Sequence, residues 1–126
     1  MNQNGKRERV VILGASDKPD RYAFLALTKL LKFGHVPVPV HPALRVIDGI
    51  PVVSDLTSVS GQVDTLTLYV NPSISETMAD AILSLHPGRV IFNPGTGSPT
   101  LQAKLREAAI PFVEACTLVM LETGQY

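Results

Sequence analysis

Val10-Val11-Ile12-Leu13-Gly14-Ala15-Ser16 is the stretch that decides the fold. Its four leading residues are an unbroken apolar run, three of them β-branched, with none of the alternation of a half-exposed strand. A run of this kind suits a strand buried on both faces of a parallel sheet. A turn-like stretch, Ser16 to Asp20, follows the glycine. Ala23, Leu27, Leu30 and Leu31 then recur at helical spacing, with Lys29 and Lys32 off the stripe, and Gly34 stands where a helix C-terminal glycine belongs. Strand, loop, helix and glycine make half of a βαβ unit.

The same alternation continues down the chain. Val36 to Val40 predicts a second strand, shortened in pairing capacity by Pro37 and Pro39, which lack ladder donors. Asp48-Gly49 marks a loop or small hairpin, and Ser54 is placed to cap a short helix through Ser58. Thr65 to Val70 predicts a third strand with Leu66, Leu68 and Val70 on one face. Ser73 and Glu76 form an S-x-x-E capping box for a helix with the stripe Ile74, Met78, Ile82 and Leu83, closed by Pro87-Gly88. Val90 to Phe92 is a fourth strand. Ser98 and Pro99 open a helix striped by Leu101, Leu105 and Ala108, and Phe112 to Ala115 is the last strand. His35 and His86 fall at helix C-termini, where a structural role is expected. The sum is an α/β fold: a Rossmann-like, three-layer, doubly wound, mostly parallel five-stranded sheet with helices on both faces.

Composition narrows the function classes. A length of 126 residues suits one domain, and 45% hydrophobic residues suffice for a core. Eleven basic residues balance eleven acidic ones, against a nucleic-acid partner. The densest basic run, Lys6, Arg7 and Arg9, is broken by Glu8 and reads as a solvated tail, so residues 1–9 are expected as a polar tail and 10–126 as the domain. Cys116 is the only cysteine, which excludes an intrachain disulfide and a cysteine-based zinc site. Its thiol reads either as a buried structural group or as a reactive one. No histidine spacing suggests a metal. No signal peptide or span of roughly 20 apolar residues is visible, so a cytoplasmic protein without membrane association is expected. The apolar stretch Leu118 to Leu121 is expected to pack on the core or to join a homodimer.

In open α/β sheets, ligands bind beyond the carboxyl ends of the strands, near the point where strand order reverses. Those ends here carry Gly14-Ala15-Ser16, His41-Pro42, Asn71-Pro72 and Asn93-Pro94-Gly95-Thr96-Gly97. Gly14 permits a tight turn and close approach of a phosphate; the following helix presents free amides to it, Ser16 a hydroxyl, and Lys18 and Arg21 cations. The alternative for Gly14 is close helix–strand packing. Asn93 to Gly97 reads either as a nest of amides for an anion or carbonyl, or as an ordinary strand-to-helix turn. The dinucleotide pattern G-x-G-x-x-G fails, because Ser16 and Pro19 stand at its second and third glycine positions. His41, not an acid, ends the second strand, which disfavours a nicotinamide cofactor.

Gly14-Ala15-Ser16-Asp17-Lys18-Pro19-Asp20-Arg21-Tyr22 resembles the first loop of the small stand-alone CoA-binding domain family, itself similar to the N-terminal domain of the succinyl-CoA synthetase alpha subunit. Leu68-Tyr69-Val70-Asn71-Pro72, Phe92-Asn93-Pro94-Gly95-Thr96 and Glu114-Ala115-Cys116-Thr117 resemble one branch of that family, and the likeness runs from about Val10 to Gly124. The resemblance implies coenzyme A, free or acylated, laid across the strand ends. Gly14, Ala15 and Ser16 would hold phosphate; His41 to Arg45, including Pro42 and Arg45, would meet the nucleotide. Val70, Asn71 and Pro72 would line the adenine or pantetheine path, and Asn93, Pro94 and Gly95 the far end. The synthetase's phosphorylated histidine lies in a second domain without a counterpart here, so no ligase activity is implied.

No paired carboxylates or nucleophile with a spaced base is visible, and no catalytic residue is assigned. The expectation is non-catalytic binding of CoA or an acyl-CoA. The alternatives are an NAD(P)-dependent oxidoreductase or another nucleotide-using enzyme, working through Cys116 or His41, and an interaction subunit that has lost the ligand.

Overall fold

The computed structural model describes residues 6–126. In it, β1 (Arg9–Leu13) leads through a long turn to α1 (Tyr22–Lys32) and back to β2 (Val36–Val40). A hairpin of β3 (Val46–Ile47) and β4 (Ile50–Pro51) and a 3-10 turn at Leu56–Ser58 precede β5 (Thr65–Leu68). Then come α2 (Pro72–Thr77), α3 (Ala79–Leu85), β6 (Arg89–Phe92), α4 (Pro99–Glu107), β7 (Phe112–Glu114) and α5 (Thr117–Glu122). The main sheet has the order β2-β1-β5-β6-β7, and each pairing is parallel. The chain moves outward one way from β1 to β2 and the other way from β5 to β7, so the crevice between β1 and β5 is the switch point.

Residue alternation along β1 divides the core. Val10 and Ile12 pack with Leu27 and Leu30 of α1 and Leu121 of α5. Val11 and Leu13 turn the other way, to a larger cluster with Ile82 of α3 and Leu101 and Leu105 of α4. Helices therefore cover both faces. Pro37 and Pro39 lie in β2, an edge strand, where a missing donor is tolerated. Asp48 and Gly49 both take positive φ, 49° and 79°, in the two-residue turn of the hairpin. Among the described residues no helix is long and apolar enough to cross a membrane.

Several local expectations change. Asp55, not Ser54, caps the 3-10 turn, accepting from the Ser58 amide at 3.0 Å. The helix expected from Ser73 starts at Pro72 with Asn71 as its cap, and Glu76 reaches sideways to accept from Ser98 Oγ at 2.7 Å instead of closing a box. That helix breaks at Met78, and Ile74 is 45% exposed, off the buried stripe. Leu31 is likewise exposed at 39%, and Ala26 takes its place on the buried face of α1. His86 itself ends α3 in the left-handed region. The stretch after β7 is a helix, α5, which buries Leu121 and leaves Val119 57% exposed.

At the amino end of the sheet, residues 1–5 of the expected tail lie outside the described residues. Lys6 pairs with Asp64 at 3.1 Å, the Glu8 amide donates to His35 Nδ1 at 3.1 Å, and Arg9 already belongs to β1.

Candidate functional site

A cavity of about 590 Å³ opens at the carboxyl ends of β1, β2, β5 and β6. The turn after β1 supplies Gly14, Ala15, Ser16, Asp17 and Lys18; α1 supplies Arg21, Tyr22 and Ala23 at its start. His41 and Leu44 come from the turn after β2, Tyr69 from the end of β5, and Pro94 and Thr96 from the loop after β6.

Helix α1 enters this cavity without a cap of its own. Arg21 occupies the N-cap position in extended conformation, but no side chain accepts from the first turn, and no acid stands there. The first hydrogen bond into the helix is from the Leu25 amide to Arg21 O at 3.1 Å. The amides of Tyr22, Ala23 and Phe24 therefore have no acceptor among the described residues. Ser16 and Asp17 amides are also unpartnered among the described residues, whereas the Ala15 amide is engaged with Val40 O at 3.3 Å. Ser16 Oγ accepts from the Lys18 amide at 3.1 Å, which leaves its proton to donate outward. Lys18 and Arg21 are balanced within the loop by Asp17 and Asp20, all four exposed. The attraction for an anion thus rests on the amides and the helix dipole more than on formal charge.

Gly14 has φ of +88°. A Cβ there would lie 2.8 Å from Val70 Cγ1 and 3.0 Å from the Tyr69 backbone. Close packing of the turn on the end of β5 by itself requires the glycine.

The remaining expected residues divide. Pro94 joins the cavity lining. Pro42 and Arg45 are exposed outside it, and Val70 packs toward the core on the α3–α4 side. Asn71 Oδ1 accepts from Ser73 Oγ at 2.6 Å and from the Ile74 amide at 3.3 Å, while Pro72 is the first residue of α2, so both serve the helix start. Asn93 is 4% exposed. Its Nδ2 donates to Thr67 Oγ1 at 2.6 Å and Leu68 O at 2.8 Å, and its Oδ1 accepts from the Thr117 amide at 2.9 Å. Its side chain ties β5, β6 and α5 together. With Gly95 it borders a smaller adjoining cavity of about 240 Å³ that reaches the half-buried Cys116 and shares Pro94 with the larger one.

Leu44 and Thr96, which fall within the expected segments His41 to Arg45 and Asn93 to Gly97, join the lining, and Tyr22 and Tyr69 join it without having been given a role from the sequence. Tyr69 alternates with Leu66 and Leu68 to the opposite face, a signal present in the sequence. Its hydroxyl is buried without a partner among the described residues, and burial pushes the phenol up to about 12, so it is a neutral wall. Among the described residues no group of three or more metal-ligating side chains converges.

The chain matches the family described as the CoA binding domain over residues 8–122. It belongs to that family. A crystal structure of an uncharacterised protein is 40% identical, covers 97% of this chain and 100% of its own, and superposes with a TM-score of 0.90. A Thermus thermophilus protein is 27% identical with full mutual coverage and a TM-score of 0.88. The uncharacterised protein YneT of Bacillus subtilis is 27% identical over 64 residues, a match spanning 51% of this chain and 47% of YneT, about half the length of that relative.

Proposed function

We propose that this chain is a cytoplasmic binding module for coenzyme A, free or acylated, and performs no chemistry on it. The observation that carries the reading is the uncapped start of α1, where Tyr22 and Ala23, whose amides are unpartnered among the described residues, line a cavity that Lys18 and Arg21 border. Membership of the CoA-binding domain family supplies the ligand class. A phosphoryl group at Gly14, Ala15 and Ser16 takes hydrogen bonds from the Ser16 and Asp17 amides and the first turn of α1. The rest of the ligand extends along the strand ends, past His41 and Leu44 on one side and Tyr69, Pro94 and Thr96 on the other. At the end of β2 a nicotinamide nucleotide would want a carboxylate for its ribose, and His41 stands there instead.

Isothermal titration of CoA, acetyl-CoA, NAD, NADP and ATP tests the proposal. CoA or acetyl-CoA should bind at least tenfold more tightly than either nicotinamide nucleotide. A preference for NAD or NADP would overturn it.

A further inference from the structure

His41 is mounted rigidly. Its amide donates to Val53 O at 3.0 Å, and Val40 before it forms a bridge with Val53. The ring borders the cavity, and its two nitrogens have different surroundings. Nδ1 accepts from the Ala43 amide and the Leu44 amide, both at 3.0 Å. Bonds to the amides two and three residues on are the pattern by which an Asn or Asp side chain closes a turn. Two N–H groups pointing at Nδ1 require a lone pair there, so in the neutral ring the proton sits on Nε2. Nε2 has no protein partner among the described residues. A neutral imidazole in this tautomer has no free lone pair, so it cannot take a proton from a ligand without giving up the turn; it can only donate.

We infer that His41 is a tautomer-locked hydrogen-bond donor: Nδ1 closes the 41–44 turn that carries Leu44 into the cavity, and Nε2–H donates to a phosphoryl oxygen of the ligand. This rests on the CoA reading above and deepens it, giving His41 a binding role in place of a general-base role. The phosphoryl group is the acceptor because the same cavity is bordered by Lys18, Arg21 and the open amides of α1.

Substitutions can separate the two nitrogens. Asn places an acceptor near the Nδ1 position but does not reach Nε2; Gln extends toward Nε2 and leaves the turn open. His41→Asn should melt like the wild type yet bind CoA about tenfold more weakly, the loss of one bond to a charged acceptor. His41→Gln should melt lower and bind CoA more tightly than the Asn variant. ADP should lose the same factor as CoA in His41→Asn, and adenosine should lose nothing. In the free protein, long-range 1H–15N NMR, assigned by the signal missing from His41→Asn, should show the Nε2-protonated tautomer, with its proton shifting on CoA addition. An Nδ1-protonated or rapidly averaged ring, wild-type affinity in His41→Asn, or an equal loss for adenosine would each overturn the inference. Failure of the wild type to bind CoA would instead strike the underlying function, and it would be seen before any variant was compared.

Discussion

Two strand-to-helix turns at the carboxyl edge of the sheet start from the same backbone device and end differently. Gly14 after β1 and Gly95 after β6 share a φ of +88°. In the β6–α4 turn the helix start is capped from within. Ser98 Oγ caps α4 by accepting from the Leu101 amide at 3.1 Å, Thr96 Oγ1 donates to Asn93 O at 2.8 Å, and the Asn93 side chain is fully engaged. In the β1–α1 turn the helix start has no side-chain cap at all. A glycine-led turn therefore says little about ligand binding; whether the protein's own side chains occupy the next amides says much more.

Alanine at the two glycines gives the largest expected effect. Both substitutions incur the cost of the left-handed region, about 1–2 kcal/mol. Gly95→Ala should stop there, since nothing lies within 4 Å of its added Cβ. Gly14→Ala adds a clash with Val70 Cγ1 at 2.8 Å and the Tyr69 backbone at 3.0 Å. Its total should approach about 3–4 kcal/mol, or roughly 10 °C in melting temperature. Equal losses at the two sites would mean that the β1 turn is not pressed against β5 and that its glycine is kept for another reason.

Giving the open helix a cap attacks the comparison directly. Arg21 already has the extended backbone of an N-cap residue, with φ −85° and ψ 142°. Arg21→Ser should stabilise the free protein by about 0.5–1 kcal/mol by satisfying an amide of the first turn. It should weaken CoA binding about tenfold beyond the loss in Arg21→Ala, which removes the cation but adds no cap. Paired melting curves and titrations of the two variants provide the check. Unchanged CoA affinity in Arg21→Ser relative to Arg21→Ala would remove these amides from the site.

The layer plan was legible because it depends on the coarse order of apolar runs and helical stripes: Val10 to Leu13 suits a doubly buried strand, and the helical stripe after Gly14 follows it. The Ser98-Pro99 start of α4 was equally legible, since cap and first-turn proline agree. Asn71 and Ser73 both satisfy capping rules, and Pro72 at the first helical position decides for Asn71. Helix α5 escaped because Thr117–Glu122 is too short to show a period, and its stability comes from packing Leu121 under α1. At the site, residues adjacent to Gly14 were readable from one loop. Tyr69 was not, because its meeting with the β1, β2 and β6 loops depends on the β2-β1-β5-β6 order, which no local pattern encodes.

The smallest expected effect contrasts the two ends of the sheet. At the amino end, opposite the open turn, His35 is 2% exposed, accepts from the Glu8 amide through Nδ1, and packs its ring 5.0 Å from that of Tyr126. Burial, outweighing the nearby Glu8 carboxylate, lowers its proton affinity below the ordinary histidine value of 6.5. The unfolded chain then binds a proton more readily than the folded one. The stabilisation is complete above the unfolded value and is lost as pH falls below it toward the folded value. Asp64, held below the usual carboxylate value chiefly by the Arg9 amide, contributes in the same direction but only at pH below 3.8. Melting temperature should therefore begin to decline below about pH 6.5 in the wild type and decline less in His35→Phe, which keeps a ring against Tyr126 and takes up no proton. An identical slope in both proteins would place the titrating group elsewhere. At neutral pH the two should bind CoA alike. A loss of affinity in His35→Phe would show that the two ends of the sheet are energetically coupled, since His35 lies outside the lining of the cavity.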